Sequence, residues 1–192
     1  MMKLYLTPGS GNAYKVRLLL AMLGIAYEKV EVDLAAKSPQ LREKSPRGQV
    51  PVLEDDGKAY WDSTACLAYV ALKHGPRWLP TAPAEMAEVM QWLALSNSEL
   101  HFGLQWARGV LRGHRRGDVE EYRAYGRQGL AVLEGRLREN DWLALGRPTI
   151  ADIACYPYVA VAPEGVLSLD PYPGTAAWVR RFESLPGWIP RL

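Results

Sequence analysis

Across residues 77–84, where Pro80 and Pro83 interrupt the chain, the spacing of apolar residues changes character. Before this stretch, short apolar runs alternate with helical patterns. After it, only helical patterns follow. A mixed α/β segment and an all-helical segment do not merge into one layered core, so the shift predicts two domains. The boundaries read from it are 1–76, a linker 77–84, and 85–192.

The first domain reads β-α-β-α-β-β-α. Lys3–Leu6 is a short apolar run stopped by Thr7, Pro8 and Gly9, and reads as a strand. Val16, Leu19, Leu20 and Leu23 recur at helical spacing and Gly24 follows as a stop. Tyr27–Val32 alternates as a second strand, and Lys37–Lys44 is weakly helical. Val50–Leu53 and Lys58–Trp61 flank Asp55, Asp56 and Gly57, a hairpin signal. Ser63–His74 is helical and ends at Gly75 and Pro76. In the second domain, helices are expected over Ala84 to about Gly113, Val119–Arg138, Ile150–Ala162 and Thr175–Leu185.

Composition closes off several functions. With 23 Lys and Arg against 21 Asp and Glu, the net charge is only +2, which argues against nucleic acid as a partner. No run approaches the roughly 18 apolar residues of a membrane span, and Met1–Leu6 is too short and polar for a signal peptide. Cys66 and Cys155 are far apart and lack a CxxC neighbour, which reads as reduced packing thiols in a cytoplasmic protein. His74, His101 and His114 form no ligand pair, so no metal is expected.

Three corners of the first domain carry polar chemistry. Ser10, Asn12 and Lys15 lie where the first strand meets the first helix. Unpaired backbone N–H groups there favour an anion, including a thiolate, although Ser10 or Asn12 also serves as a plain helix cap. Gln49, Val50 and Pro51 enter the third strand. A cis Val50–Pro51 bond would turn the Val50 backbone outward; a trans bond would make Pro51 a simple strand start. Asp62 and Ser63 open the third helix, either as caps or as a site for a carboxylate and an ammonium.

These corners, in this order, resemble the cytosolic glutathione transferases. The resemblance spans essentially the whole chain. Its most specific part is Lys-Ser-Pro-Arg-Gly-Gln-Val-Pro at 44–51 followed by Asp62 and Ser63. It implies a thioredoxin-like α/β N-terminal domain and an all-α C-terminal domain, with glutathione as co-substrate. Ser10 takes the place of the activating hydroxyl in the serine-type, bacterial-like classes. It is preferred over Thr7 because Asn12 and Lys15 then fall at matching offsets. Asn12 would be a second donor to sulfur. Lys37, Gln49, Val50 and Pro51 would hold the peptide and its glycyl carboxylate, and Asp62 and Ser63 the γ-glutamyl end. The electrophile would lie against His101, Leu104, Gln105, Trp106 and Arg108. The arginines at 108, 112, 115 and 116 read as a solvated face or as an anion-binding stretch.

The implied activity is transfer of the glutathione sulfur to a small electrophile, as in detoxification. Two alternatives stay open: glutathione-dependent disulfide reduction, and a non-catalytic interaction module. An isomerase role is disfavoured, because a Ser-Ser-Cys motif is absent. The resemblance also implies a homodimer, through the exposed faces of the helices starting at Ser63 and Ala84. Thr149 and Asp152 form a capping-box pattern that is assigned to folding.

Overall fold

The structure is a computed structural model that describes residues 1–36, 39–164 and 166–191. The chain forms two compact units: Met1–Trp78 together with the tail from Pro186, and Leu79–Leu185. The C-terminal tail thus returns to the first unit.

The first unit contains β1 (Lys3–Leu6), α1 (Gly11–Met22), β2 (Glu28–Glu31), α2 (Pro39–Lys44), β3 (Val52–Asp55), β4 (Lys58–Trp61) and α3 (Ser63–His74). The strand order is β2-β1-β3-β4, with β1 and β2 parallel and the other pairs antiparallel. This is the expected thioredoxin-like order. Side chains alternate across the sheet because successive residues point to opposite faces. Leu4 and Leu53 are cross-strand partners and fully buried. Tyr5 and Val52, one residue along, pack instead with Leu41 of α2 and Val50. Helices α1 and α3 pack against one another, burying Val16, Leu19, Leu20, Leu67 and Val70.

The second unit contains α4 (Pro83–Leu95), a π-helical run (Ser96–Trp106), α5 (Ala107–Leu111), α6 (Val119–Leu137), α7 (Ile150–Val159) and α8 (Pro173–Glu183). The single helix expected over 84–113 is therefore three consecutive helical segments. Every residue of α7 is buried. Its N-terminus is closed by the capping box. The Ala151 amide donates to Thr149 Oγ1 at 3.2 Å, and the Thr149 amide to Asp152 Oδ2 at 2.9 Å. Asp152 Oδ1 also accepts from the Leu143 amide at 3.2 Å and Trp178 Nε1 at 3.0 Å. Burial pushes the Asp152 carboxyl up to about 6 against these three donors.

Glu134 plays a matching part at α8. Its carboxylate accepts from the Gly174 amide at 3.1 Å, the Thr175 amide at 2.9 Å and the Thr175 hydroxyl at 3.0 Å. Burial alone would raise this acid, yet the amides, the hydroxyl and the Arg138 charge hold it below its ordinary value. The π-helical run crosses α6 backbone to backbone. A Cβ on Gly103 would sit 2.1 Å from the Gly126 nitrogen.

Two stability outcomes follow from these contacts. Thr149→Ala removes one capping acceptor and is expected to lower unfolding free energy by about 1 kcal/mol, read as a lower denaturant midpoint. Gly103→Ala forces the crossing apart and is expected to cost more, about 3 kcal/mol or above, in the same titration. An unchanged midpoint in either variant would contradict the contact assigned to it.

Candidate active site

Register decides which segments meet. Tyr5 pairs with Val52, and Val52 pairs with Trp61. The end of β1, the start of β3 and the end of β4 therefore lie at one edge of the sheet. Leu6 is level with Glu31, so β2 ends there too. Ser10, the Gln49–Pro51 segment and Asp62–Ser63 all leave from that edge. The carboxyl ends of parallel strands are where α/β sheets most often receive ligands.

Ser10 caps α1. Its Oγ accepts the Ala13 amide at 3.2 Å, and its own amide donates to the Thr7 carbonyl at 3.2 Å. The side chain is half-buried. A hydroxyl that accepts one bond still holds a proton to donate. Capping and donation to a sulfur are therefore compatible roles for one atom, and the choice between them does not arise. Thr7 is half-buried on the same loop.

Asn12 and Ser63 come from different corners and meet directly. Ser63 Oγ donates to Asn12 Oδ1 at 3.0 Å, with Ser63 buried. Asp62 caps α3 by accepting the Thr64 amide at 2.8 Å. Its backbone sits at φ 76° and ψ 134°, a region that side-chain-bearing residues rarely adopt. Such conformations concentrate at ligand sites, where the fold holds them in place.

The Val50–Pro51 peptide is cis. Val50 and Pro51 are buried, whereas Gln49 is exposed. The Gln49 amide is held by Ser45 Oγ at 3.2 Å. Lys37 lies outside the described residues.

The five residues expected at the electrophile site all belong to the second unit, and Leu104 is fully buried there. His101 stacks on Tyr158 with centroids 5.2 Å apart, and its ring is 5.9 Å from Trp106. Trp106 meets Phe102 and Tyr122 edge-on, at 4.4 and 5.6 Å, and carries the Arg115 guanidinium 3.7 Å above its face. Gln105 is half-buried on the same π-helical run. Arg108 is committed elsewhere: it pairs with Glu164 at 2.7 Å, which Arg112 also contacts. This part of the basic stretch is thus neutralised by an acid more than 50 residues away.

Residues 4–78 match the family model described as glutathione S-transferase, N-terminal domain, and residues 105–186 that of the C-terminal domain. A solved possible glutathione S-transferase from Rhodopseudomonas palustris is 37% identical. It aligns over 98% of this chain and 97% of its own, with a TM-score of 0.91. The chain belongs to the glutathione transferase family.

Within the family, the chain is 29% identical to the disulfide-bond oxidoreductase YfcG of Escherichia coli, over 97% of this chain and 92% of that one. It is 32% identical to a maleylacetoacetate isomerase of Rhizobium meliloti, over 78% and 76% respectively. Similar chains in this family thus carry names for different reactions.

The sequence reading passes over three residues at this edge. A small cavity beside Ser10 is also lined by Tyr14, Arg17 and Arg191. Tyr14 and Arg17 lie four and seven residues beyond Ser10, so helical spacing could have placed them on its face. Nothing local marks Arg191, which reaches residue 9 across 182 positions of sequence.

Neither cysteine is in a disulfide, and both are buried. Burial pushes the Cys66 thiol up to about 12, and its Sγ donates to the Tyr60 carbonyl at 3.3 Å. Only the thiolate reacts readily. Native protein at pH 8 is therefore expected to resist alkylation by iodoacetamide at both positions, and denatured protein to take up two adducts by mass. Rapid native labelling at Cys66 would contradict its placement.

Proposed function

We propose that this family member binds glutathione at the sheet edge, ionises its thiol beside Ser10, and transfers the sulfur to a small electrophile. The observation that carries the reading is the shared edge. Ser10 presents a donor hydroxyl there, while Ser63 bonds to Asn12 and Asp62 caps the start of the same helix α3. In this reading Asp62 meets the γ-glutamyl ammonium and Ser63 with the α3 N-terminus its carboxylate. Gln49 and the Val50 backbone hold the peptide; Lys37 takes the glycyl carboxylate.

Ionisation is the energetic problem. A free thiol has a pKa near 8.5. Lowering it by two units needs about 2.7 kcal/mol of preference for the charged form. A hydrogen bond to a charged group is worth about 1.5–3 kcal/mol, so the Ser10 hydroxyl supplies much of that alone. The N-terminus of α1 adds to it. The thiolate then attacks carbon; the C–S bond forms, and the bond to the leaving group breaks with its electron pair. Ser10 donates to sulfur and forms no covalent intermediate. The electrophile is assigned to the aromatic surface of His101, Gln105 and Trp106, with Arg108 at its margin.

Glutathione-dependent disulfide reduction is the second reading. It is favoured by the similarity to a disulfide oxidoreductase over nearly the full length of both chains. The same thiolate would attack a sulfur and displace a second thiolate. Assembly as a homodimer in the cytoplasm belongs to the proposal as well. Leu72 on α3 and Met90 on α4 support the dimer, each apolar and nearly half exposed.

Ser10→Ala should keep glutathione affinity within several-fold by calorimetry, yet lose about 10- to 100-fold in kcat with a chromogenic aryl halide. Ser10→Thr, which keeps the hydroxyl, should recover much of the rate. Equal turnover in Ser10→Ala and wild type would rule out this role for Ser10. Glutathione turnover with a small mixed disulfide, but none with halides or other electrophiles, would select the second reading.

A further inference from the structure

We propose that Arg191, carried by the C-terminal tail, is a positioning residue for the ionised thiol. It fixes the loop that bears Ser10 and, together with Arg17, lines the cavity beside that residue. The inference rests on the glutathione reading above.

The tail runs along α1 toward its N-terminus, touching the helix at two places and the loop before it at a third. Gly187, at φ 80°, lies so close to α1 that a Cβ there would sit 2.7 Å from the Met22 Cα. The Tyr14 hydroxyl donates to the Ile189 carbonyl at 2.6 Å. Arg191 Nη2 donates to the Gly9 carbonyl. Gly9 is exposed, sits at φ 76°, and immediately precedes Ser10. A short loop between a strand and a helix is the least constrained part of such a corner. Arg191 ties that loop to the tail, and Tyr14 and Gly187 tie the tail to α1.

The charge pattern points the same way. The cavity beside Ser10 is lined by Thr7, Gly9 and Tyr14 as well as by Arg17 and Arg191. Among the described residues, no Asp or Glu lines it. Arg17 Nε and Nη1 are shielded from solvent and have no hydrogen-bond partner among the described residues. Arg17 also lies 5.9 Å from the Tyr14 ring, too soft a contact to satisfy those donors. Shielded cationic donors favour negative charge in the space they face. Other charged groups at this corner are Lys15, buried on α1, and Asp62, whose carboxylate is engaged by the Thr64 amide. The balance near Ser10 is therefore cationic, which suits a thiolate and not a neutral thiol.

The test uses the full-length protein with bound glutathione. The ultraviolet thiolate band is titrated against pH in wild type, Arg191→Gln, Arg191→Lys and Arg17→Gln. Arg191→Gln should raise the apparent thiol pKa by about one unit and Arg191→Lys by less, since it keeps the charge. Near pH 6.5, kcat should fall several-fold in Arg191→Gln while KM for glutathione changes little. Arg17→Gln, which leaves the Gly9 contact in place, should also raise the pKa and covers the case in which the tail variant does not fold. Arg191→Gln with the wild-type pKa and kcat would overturn the proposal, as would an unshifted Arg17→Gln if the tail variant is lost. Wild type that binds no glutathione by calorimetry would instead overturn the reading on which the proposal rests.

Discussion

The antiparallel register of β1, β3 and β4 is the constraint on which the rest of the first unit depends. It brings Tyr5, Val52 and Trp61 level. A slip of one residue in either ladder would send buried side chains to the opposite face. Leu4 and Leu53 would then leave the side covered by α1 and α3, so packing opposes the slip strongly. The same slip would carry one corner about 3.3 Å away from the others. Core packing and site geometry are thus two consequences of a single alignment. The Ser63–Asn12 hydrogen bond is possible only because the heads of α1 and α3 leave the sheet side by side.

The second unit solves a different problem, which is how to start helices inside a core. Asp152 and Glu134 are both buried acids, and each accepts amide N–H groups at a helix N-terminus. Asp152 is part of α7 and closes its own helix. Glu134 belongs to α6 and closes α8 from outside. Buried carboxylates of this kind suggest catalysis at first sight. Here every oxygen is occupied by structural donors, and neither acid belongs to the unit that carries Ser10. Their perturbed ionisation reports folding.

What could be read in advance follows the range of the interaction involved. The capping box at Thr149 and Asp152 spans four residues, and the hairpin turn at Asp55–Gly57 spans three, so both were visible in the sequence. The polar corners were visible as local motifs, and the resemblance to the glutathione transferases made their convergence an expectation. The π-helical run over Ser96–Trp106 was not, because an apolar stripe spaced for an α-helix fits a slightly wider helix nearly as well. What fixes that segment is tertiary: the close crossing of Gly103 and Gly126. Nor could the sequence pair Arg108 and Arg112 with Glu164, or send the tail back to Gly9. Each is a long-range meeting of side chains with no periodic signature.

On the proposed reading, such a tail would matter because of the size of the energies involved at Ser10. Two units of thiol acidity correspond to about 2.7 kcal/mol, a difference of the same order as one good charge-assisted hydrogen bond. A donor delivers that energy only if it is already aimed; a hydroxyl that must first be ordered gives part of it back as lost conformational freedom. Ser10 is aimed from one side by its cap to Ala13. The loop before it is exposed at Pro8 and Gly9. Holding the Gly9 carbonyl from the tail removes freedom at the residue where it is greatest, and the guanidinium that does so adds a favourable charge. On the proposed reading, order and electrostatics would act on the same sulfur through one side chain, and a contact 182 residues distant in sequence would belong to the chemistry of residue 10.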